Sequence, residues 1–256
     1  MDHSKPSQTI EDYLGLMHYM TRDGVPIIGA RLAERLGVAP PTVTATLQRM
    51  VRDGLITMDS HKVVSLTEEG RELAESLVRR HALAERLLTD ILGLGWSESH
   101  EEAHMVEHVI SEKVERRLIS VLGNPLTCPH GNPIPGTGAR PSPLAQSLSE
   151  IKPGQQVVVE RIVEQAEDDL ELMNFLERSG IVPRATLEVQ DVASSVGVLT
   201  TTVSGRPGTT SMGLGAAAFV RVLTPEHAHT AASATMPIPS ADAESFAARL
   251  RGLSDR

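Results

Sequence analysis

Residues 100–108 concentrate histidine and glutamate on one side of a predicted helix. In the segment HEEAHMVEH, His104 precedes Glu107 and His108 by three and four residues, and His100 lies one turn earlier. At about 100° per residue, these side chains fall within an arc of about 100°. Imidazole nitrogens and carboxylate oxygens suit Mn, Fe(II), Co, Ni or Zn. The spacing therefore predicts either a metal-binding face or a solvated polar surface.

The preceding predicted helix repeats the same residue types. His81 and Glu85 are four residues apart and so share a helix face. Helix pairs that carry such residues inward commonly build metal sites between them. The two matching pairs strengthen the prediction of metal binding, and a solvated surface stays open as the alternative. Cys128, in a loop rich in proline and glycine, is predicted to be inert.

The N-terminal elements that lead to these helices have the order of a winged helix-turn-helix. Apolar residues recur at helical spacing over residues 9–21, and two further helices and a β-hairpin are predicted, in the segments GARLAERLG, VAPPTVTATLQRMVRDG, LITM and KVVSL. Proline is tolerated in the first turn of the third helix because the N–H groups of that turn have no intrahelical acceptor, so the N–H that proline lacks is not needed. This unit is predicted to read DNA.

Two long helices are predicted next, over residues 67–93 and 97–122, and their apolar faces predict packing on each other and on a second copy of the chain. Proline and glycine between residues 123 and 154 mark a boundary. Four short strands and one helix then predict a small β-barrel, which makes the fold class α+β. Residues 224–256 are predicted to be a disordered tail, with one helical turn near AESFAARL.

Composition limits the classes of function. The 256 residues carry a net charge of −9, which alone argues against nucleic acid as a partner. Residues 29–62 nevertheless have a balance of 5 − 3 = +2, and a local patch rather than the mean charge decides DNA binding. One cysteine fits a reducing cytoplasm. No apolar run approaches the roughly 18 residues of a membrane span, so no membrane partner is expected.

In this order the motifs resemble the diphtheria toxin repressor (DtxR/MntR) family of iron- and manganese-dependent transcriptional regulators. The matching segments are ARLAERL, PPTVTATLQRMVRDGL, LTEEGRELA, RRHALAERLLTDILGL, HEEAHMVEHVISEKVERRL and CPHGNPIPG. The resemblance implies a DNA-binding domain (1–72), a helical dimerisation and metal-binding domain (73–136), a linker (137–152) and an SH3-like, FeoA-type domain (153–223). It also implies a homodimer that binds double-stranded operator DNA and is no enzyme.

The resemblance further implies two metal sites per subunit. The primary site would use Asp12, His104, Glu107 and His108. The ancillary site would use His81, Glu85 and His100, completed by carboxylates near Asp168 and Glu171. A cation that joins Asp12 to the helical segment would favour one arrangement of the paired DNA-reading heads.

The expected metal follows from two differences between this chain and the iron-responsive members that it resembles. Those members carry methionine at the position of Asp12 and, usually, cysteine at the position of His104. Manganese-responsive members carry aspartate at the first position and a carboxylate at the second. The loss of both sulfur atoms hardens the primary site and favours Mn²⁺, with Fe²⁺ close behind. Co²⁺, Ni²⁺ or Zn²⁺ would also bind such ligands in vitro.

The expected DNA contacts lie on the recognition helix and the wing. Thr42 and Thr44 can donate hydrogen bonds to phosphates or base edges, and Pro41 can touch a thymine methyl group. Further candidates for contact with DNA are Arg31, Ala39, Arg49 and Lys62. Two other functions stay open: a hydrolase with a di-metal site, and a helix-turn-helix regulator that answers an organic effector.

Overall fold

A computed structural model describes residues 6–232. The chain forms two compact units, of which the first ends at Arg80 and the second begins at His81. The first unit holds three helices, a hairpin and most of a fourth helix: α1 (Gln8–Arg22), α2 (Gly29–Leu36), α3 (Pro40–Arg52), β1 (Ile56–Met58), β2 (Val64–Leu66) and α4 (Glu68–Arg86). This order confirms the predicted winged helix-turn-helix.

The apolar stripes of the sequence build the core of the first unit. The side chains of Leu14 and Met17 from α1, Leu32 from α2 and Met50 from α3 are all fully buried. Helix α2 ends at Gly37, whose left-handed φ of 63° fits a residue without a Cβ. The turn after α2 thereby directs α3 across it and leaves the opposite face of α3 exposed.

A close backbone contact fixes the start of α4 on the hairpin. The Thr67 hydroxyl donates to the carbonyl of Gly54 at 2.7 Å and accepts from the backbone N–H of Gly70 at 3.1 Å. A Cβ on Gly70 would lie 1.9 Å from the carbonyl oxygen of Leu55. Only glycine permits this approach, so the long helix is anchored directly beside the wing.

The helical part of the second unit differs from the predicted pair of continuous helices. Helix α4 gives way to a π-helical turn (Leu87–Ile91), and a helix over 97–122 is replaced by α5 (Ser99–Val106), a 3₁₀ turn (Glu107–Val109) and α6 (Glu112–Val121). Ile110 is extended, and the side chain of Ser111 accepts from the N–H of Val114, which starts α6 afresh. The prediction of one helix was therefore wrong, because it missed this cap.

The second unit also contains a six-stranded antiparallel sheet of order β3-β8-β4-β5-β6-β7. Its strands are β3 (Gln146–Ser147), β4 (Gln156–Ile162), β5 (Thr186–Ala193), β6 (Val198–Val203), β7 (Thr210–Gly213) and β8 (Val220–Leu223). Three helices lie between strands: α7 (Glu164–Glu167), α8 (Leu170–Ser179) and α9 (Leu214–Ala217). The four predicted strands are present, whereas β3 and β7 were missed because they are short and polar.

The C-terminal prediction is corrected in part. Helix α10 (Pro225–Ala232) follows β8 where a disordered tail was expected. The rest of that tail, including the helical turn predicted near AESFAARL, lies outside the described residues. Among residues 6–232, no helix has both the length and the hydropathy that crossing a membrane requires.

Candidate metal centre

The predicted ancillary residues come together in the second unit. Both α4 and α5 contribute: His81 and Glu85 lie one turn apart near the end of α4, and His100 lies in the first turn of α5. Glu85 Oε1 is 3.1 Å from His81 Nε2 and 3.1 Å from His100 Nδ1. The two imidazole nitrogens are 3.1 Å apart. All three side chains are buried, so their polar atoms face each other rather than water.

Two carboxylates that the sequence reasoning missed complete this cluster. Glu164 and Glu167 lie on α7, directly after the buried strand β4. Glu167 Oε2 is 3.1 Å from His100 Nδ1, and Glu164 Oε1 is 3.9 Å from the nearest nitrogens of His81 and His100. A carboxylate pair three residues apart at the end of an apolar strand was the pattern that could have indicated them.

The two carboxylates that were predicted for this site lie farther out. Asp168 is exposed, with Oδ1 3.5 Å from His100 Nε2. Glu171 is exposed at the start of α8, and no contact described for residues 6–232 joins it to the histidines. The geometry favours Glu164 and Glu167 as the carboxylates of the ancillary cluster.

Three predicted primary residues also meet. Glu107 Oε1 lies 3.3 Å from His104 Nδ1 and 3.3 Å from His108 Nε2. The 3₁₀ turn that carries Glu107 and His108 preserves their proximity to His104 although the helix is broken. Asp12, the fourth predicted ligand, lies half-buried on α1 of the first unit.

A histidine links the two clusters. His81 Nδ1 lies 2.5 Å from Glu107 Oε2, while its Nε2 faces Glu85. His104 also approaches the ancillary side, with Nε2 3.2 Å from His100 Nε2. The clusters therefore form one continuous network of imidazoles and carboxylates within the second unit.

The segment after α6 adds two side chains to the buried network: His130, which the sequence analysis overlooked, and Cys128, which it predicted to be inert. His130 Nδ1 lies 3.3 Å from Glu85 Oε1 and 3.0 Å from Glu167 Oε2. Cys128 Sγ lies 3.9 Å from the same nitrogen. The two-residue spacing of cysteine and histidine in CPHG was the available indication, and the prediction that Cys128 is inert did not anticipate this contact.

The charges of the network stabilise one another. Burial opposes protonation of His81, but Glu85 and a hydrogen bond with Glu107 raise its pKa to about 10. Burial likewise opposes ionisation of Glu107, yet hydrogen bonds from His104 and His81 lower its pKa to about 2. Burial and the neighbouring Glu167 raise the pKa of Glu164 to about 7. Protonated imidazole and ionised carboxylate thus coexist in this buried network, because each charge stabilises the opposite charge beside it.

The network also leaves ligand atoms without a hydrogen bond. Within residues 6–232, Glu85 Oε2 and Glu164 Oε1 are buried and accept no hydrogen bond. Buried carboxylate oxygens are normally satisfied, because desolvation without a partner costs about 1–3 kcal/mol or more. Oxygen and imidazole donors of this kind fit a divalent metal ion, which would satisfy these atoms.

The predicted DNA-contact residues are exposed on the first unit. Pro41, Thr42, Thr44 and Arg49 lie on the outer face of α3, and the remaining three are Ala39, Arg31 and Lys62. The Thr44 hydroxyl donates to the carbonyl of Pro40 at 3.0 Å, which leaves its oxygen free to accept from a ligand. Lys62 occupies the tip of the hairpin with a left-handed φ of 62°.

Comparison with known proteins places these features in a family. Residues 5–64 match the family described as "Iron dependent repressor, N-terminal DNA binding domain", and residues 67–136 match its "metal binding and dimerisation domain". Residues 146–222 match the FeoA domain. The iron-dependent repressor IdeR of Mycobacterium tuberculosis is 45% identical over 192 residues, which are 71% of this chain and 84% of that protein. The chain belongs to the DtxR family of metal-dependent repressors.

Solved structures agree with membership of the DtxR family. A manganese-dependent transcriptional repressor in complex with manganese matches with a TM-score of 0.75 and 31% identity, over 84% of this chain and 99% of that one. ScaR with bound Zn²⁺ matches with a TM-score of 0.69 and 27% identity, over 86% and 100%. This DtxR-family chain is thus a repressor with DNA-binding, dimerisation and FeoA domains, not an enzyme.

Proposed function

We propose that this repressor uses Mn²⁺ first, and Fe²⁺ second, as the corepressor that promotes binding of its homodimer to a palindromic operator of metal-homeostasis genes. A buried cluster of two histidines and three carboxylates supports a metal-controlled function most strongly. His81, His100, Glu164 and Glu167 lie together in it, and Glu85 contacts both histidines. Buried charges are normally paired or bound to a metal ion, and a divalent cation would stabilise several carboxylates that lie this close together.

The proposed primary site consists of Asp12, His104, Glu107 and His108. Geometry within the second unit supports the last three, and the family resemblance supports Asp12. The set contains nitrogen and oxygen but no sulfur, a composition that favours a hard ion such as Mn²⁺. Co²⁺, Ni²⁺ and Zn²⁺ are expected to bind in vitro as well, because affinity at such sites follows the Irving–Williams order.

For the ancillary site we propose His81, Glu85, His100, Glu164 and Glu167. Asp168 can serve as an outer partner that orients His100 through its second nitrogen, a role that carboxylates commonly have beside metal-bound histidines. Glu171 is the least supported of the ligands predicted from the sequence. This assignment brings the proposed number of sites to two per subunit.

The proposed ligands also suggest how metal controls DNA binding. A bound divalent ion supplies positive charge that offsets the repulsion among the carboxylates. Asp12 belongs to the unit that carries α3, whereas the other ligands belong to the second unit. Metal occupancy and operator affinity are therefore expected to be linked, because only the arrangement that completes the ligand set gains the binding energy. Thr42, Thr44 and Pro41 would then read the major groove, and Arg31, Arg49 and Lys62 would contact phosphates.

Fluorescence anisotropy tests this proposal. A labelled duplex, selected from random sequences in the presence of Mn²⁺, is titrated with metal-stripped protein while Mn²⁺, Fe²⁺, Co²⁺, Ni²⁺ and Zn²⁺ are added in turn without oxygen. We expect tight binding with Mn²⁺ and Fe²⁺ and weak binding without metal. An affinity for the operator that changes neither with the added metals nor with a chelator would contradict the proposal and favour an organic effector.

A further inference from the structure

The turn that leads into α5 (residues 94–98) is held by contacts from outside its own helix. Within the part of the chain that the structure describes, Glu98, the N-cap residue of α5, makes no side-chain hydrogen bond to the helix. The first N–H groups of a helix have no intrahelical acceptor, so a helix start without such a cap is less stable. Because α5 carries His100 and His104, whatever holds this turn also sets where two of the proposed metal ligands lie.

A carboxylate of α8 holds the backbone of this turn. Glu177 Oε1 accepts from the backbone N–H of Trp96 at 3.0 Å, and Glu177 Oε2 accepts from the N–H of Ser97 at 3.4 Å. The Ser97 hydroxyl lies 2.7 Å from Glu177 Oε2 and 2.9 Å from Asn174 Oδ1. Hydrogen bonds to an ionised carboxylate are roughly twice as strong as those between neutral groups. Glu177 therefore fastens the start of α5 to a helix of the FeoA domain.

Trp96 fixes the same turn through its ring and its carbonyl group. The half-buried indole packs against the apolar core of the six-stranded sheet, and its N–H donates to the carbonyl of Pro129 at 3.1 Å. The carbonyl oxygen of Trp96 accepts from the Ser99 hydroxyl at 3.1 Å and lies 2.9 Å from His130 Nε2. The turn is thus held on both sides directly before His100.

These contacts determine how precisely His100 faces the other ligands. His100 follows Ser97 by three residues, less than one helical turn, so a displacement of the turn moves the imidazole with it. His100 Nδ1 lies 3.1 Å from both Glu85 Oε1 and Glu167 Oε2. A metal site requires its ligands to be held within about 0.5 Å of the productive geometry by the residues around them. The support of α5 is therefore part of what the site needs.

We propose that Glu177 is a positioning residue for metal binding, which holds His100, and through α5 also His104, in the arrangement that the ion requires. Glu177 acts through the backbone of residues 96 and 97 and not as a ligand. The FeoA domain then supports the metal centre in two ways, because α7 supplies carboxylates and α8 holds α5. This inference rests on the proposed metal-binding function. Metal binding and the contact of Glu177 with the turn favour each other.

Co²⁺ titration of metal-stripped, full-length protein tests the inference. Asp12→Ala is the background for every variant, because it weakens the proposed primary site and leaves the ancillary ligands unchanged. Glu177→Ala should lower the Co²⁺ affinity about 10-fold, at the lower end of the usual effect of losing an outer support of a metal site. The visible d–d absorption of bound Co²⁺ should change as well, since it reports on ligand geometry. Glu177→Gln should restore part of the affinity, because its amide oxygen can still accept from one N–H.

Glu188→Gln provides the matched control, since it removes a carboxylate from an exposed position on β5 of the same domain. Its Co²⁺ affinity and spectrum should equal those of the Asp12→Ala background. Hydrogen–deuterium exchange gives the reciprocal measurement: Co²⁺ should slow exchange of the Trp96 and Ser97 amides in the background protein, and much less in Glu177→Ala.

The outcomes separate this inference from the proposed function. If Glu177→Ala matches Glu188→Gln in affinity and spectrum, the inference is overturned and the proposed function stands. If the background protein and the wild-type protein bind no Co²⁺, both are overturned. Circular dichroism verifies the fold of each variant. Should Glu177→Ala fail to fold, Glu177→Gln decides: a Co²⁺ affinity below that of Glu188→Gln supports the inference, and an equal affinity contradicts it.

Discussion

A buried ion pair between Glu11 and Arg80 provides a quantitative test of how α1 is held in the first unit. Glu11 Oε1 lies 3.0 Å from Arg80 Nη2, and the two side chains are 7% and 9% exposed. At that distance the attraction is about 5 kcal/mol for an effective dielectric constant of about 20. Desolvation of both charges offsets most of this energy in the intact pair, but not when one charge remains alone.

Replacement of one partner is therefore expected to lower the free energy of unfolding far more than replacement of both. Arg80→Met should lower the free energy of unfolding of the first unit by about 3–5 kcal/mol, because Glu11 stays buried and loses the guanidinium that faces it. Glu11→Gln combined with Arg80→Met should lie within about 1 kcal/mol of the wild type. The difference gives a coupling energy of about 3 kcal/mol in a double-mutant cycle.

Urea unfolding followed by near-ultraviolet circular dichroism can isolate this unit. Tyr13 and Tyr19 are the two tyrosines of the chain and both lie on α1, whereas the single tryptophan, Trp96, belongs to the second unit. The tyrosine signal therefore reports on the first unit and the tryptophan signal serves as the internal control. If Arg80→Met lowers the free energy of unfolding by less than about 1 kcal/mol, the pair behaves like a solvent-exposed ion pair and the reasoning is refuted.

Three further variants test other parts of the account. Asp12→Met should weaken the operator response to Mn²⁺ relative to Fe²⁺ in the anisotropy assay, and an unchanged metal ranking would remove the argument from ligand hardness. Thr44→Ala should weaken operator binding by about 1–3 kcal/mol without altering metal uptake measured by equilibrium dialysis; loss of both would indicate misfolding. Burial lowers the pKa of His18 below 6.5 in the folded protein. The folded state therefore disfavours the protonated ring, and the free energy of unfolding should be at its full value above pH 6.5 and fall as the pH decreases towards the pKa of His18 in the folded protein. His18→Gln should flatten this fall in urea titrations between pH 7 and pH 5, and an identical slope in both proteins would contradict the assignment.

Local sequence patterns predicted the architecture but not every break in it. The spacing of apolar residues and the turn residues identified the helices of the first unit, its hairpin and four strands of the sheet. The helix over 97–122 was predicted as continuous because its apolar pattern runs through Ile110. The side chain of Ser111 caps a new helix and so competes with continuation of the preceding one. A prediction based on the spacing of apolar residues does not take such a cap into account.

The candidate site was predictable where its residues share a helix face and not where they meet across the fold. His81 with Glu85, and His104 with Glu107, follow from the helical repeat alone. Glu164 and Glu167 reach the cluster only because β4 and α7 bring them there, and the family resemblance pointed a few residues beyond, to Asp168 and Glu171. His130 required knowledge of the turn that wedges Gly131 against β4, which no periodicity reveals.

Reciprocal linkage tests the central claim most directly. If metal and operator favour the same arrangement of the repressor, each must tighten the binding of the other by the same factor. The affinity for Mn²⁺ should be measured by competition with a chelating dye, with and without a saturating amount of the operator duplex. We predict that the duplex raises the Mn²⁺ affinity by about 5–150-fold, equal to the factor by which Mn²⁺ tightens the duplex. Equal Mn²⁺ affinities with and without operator DNA would contradict the account.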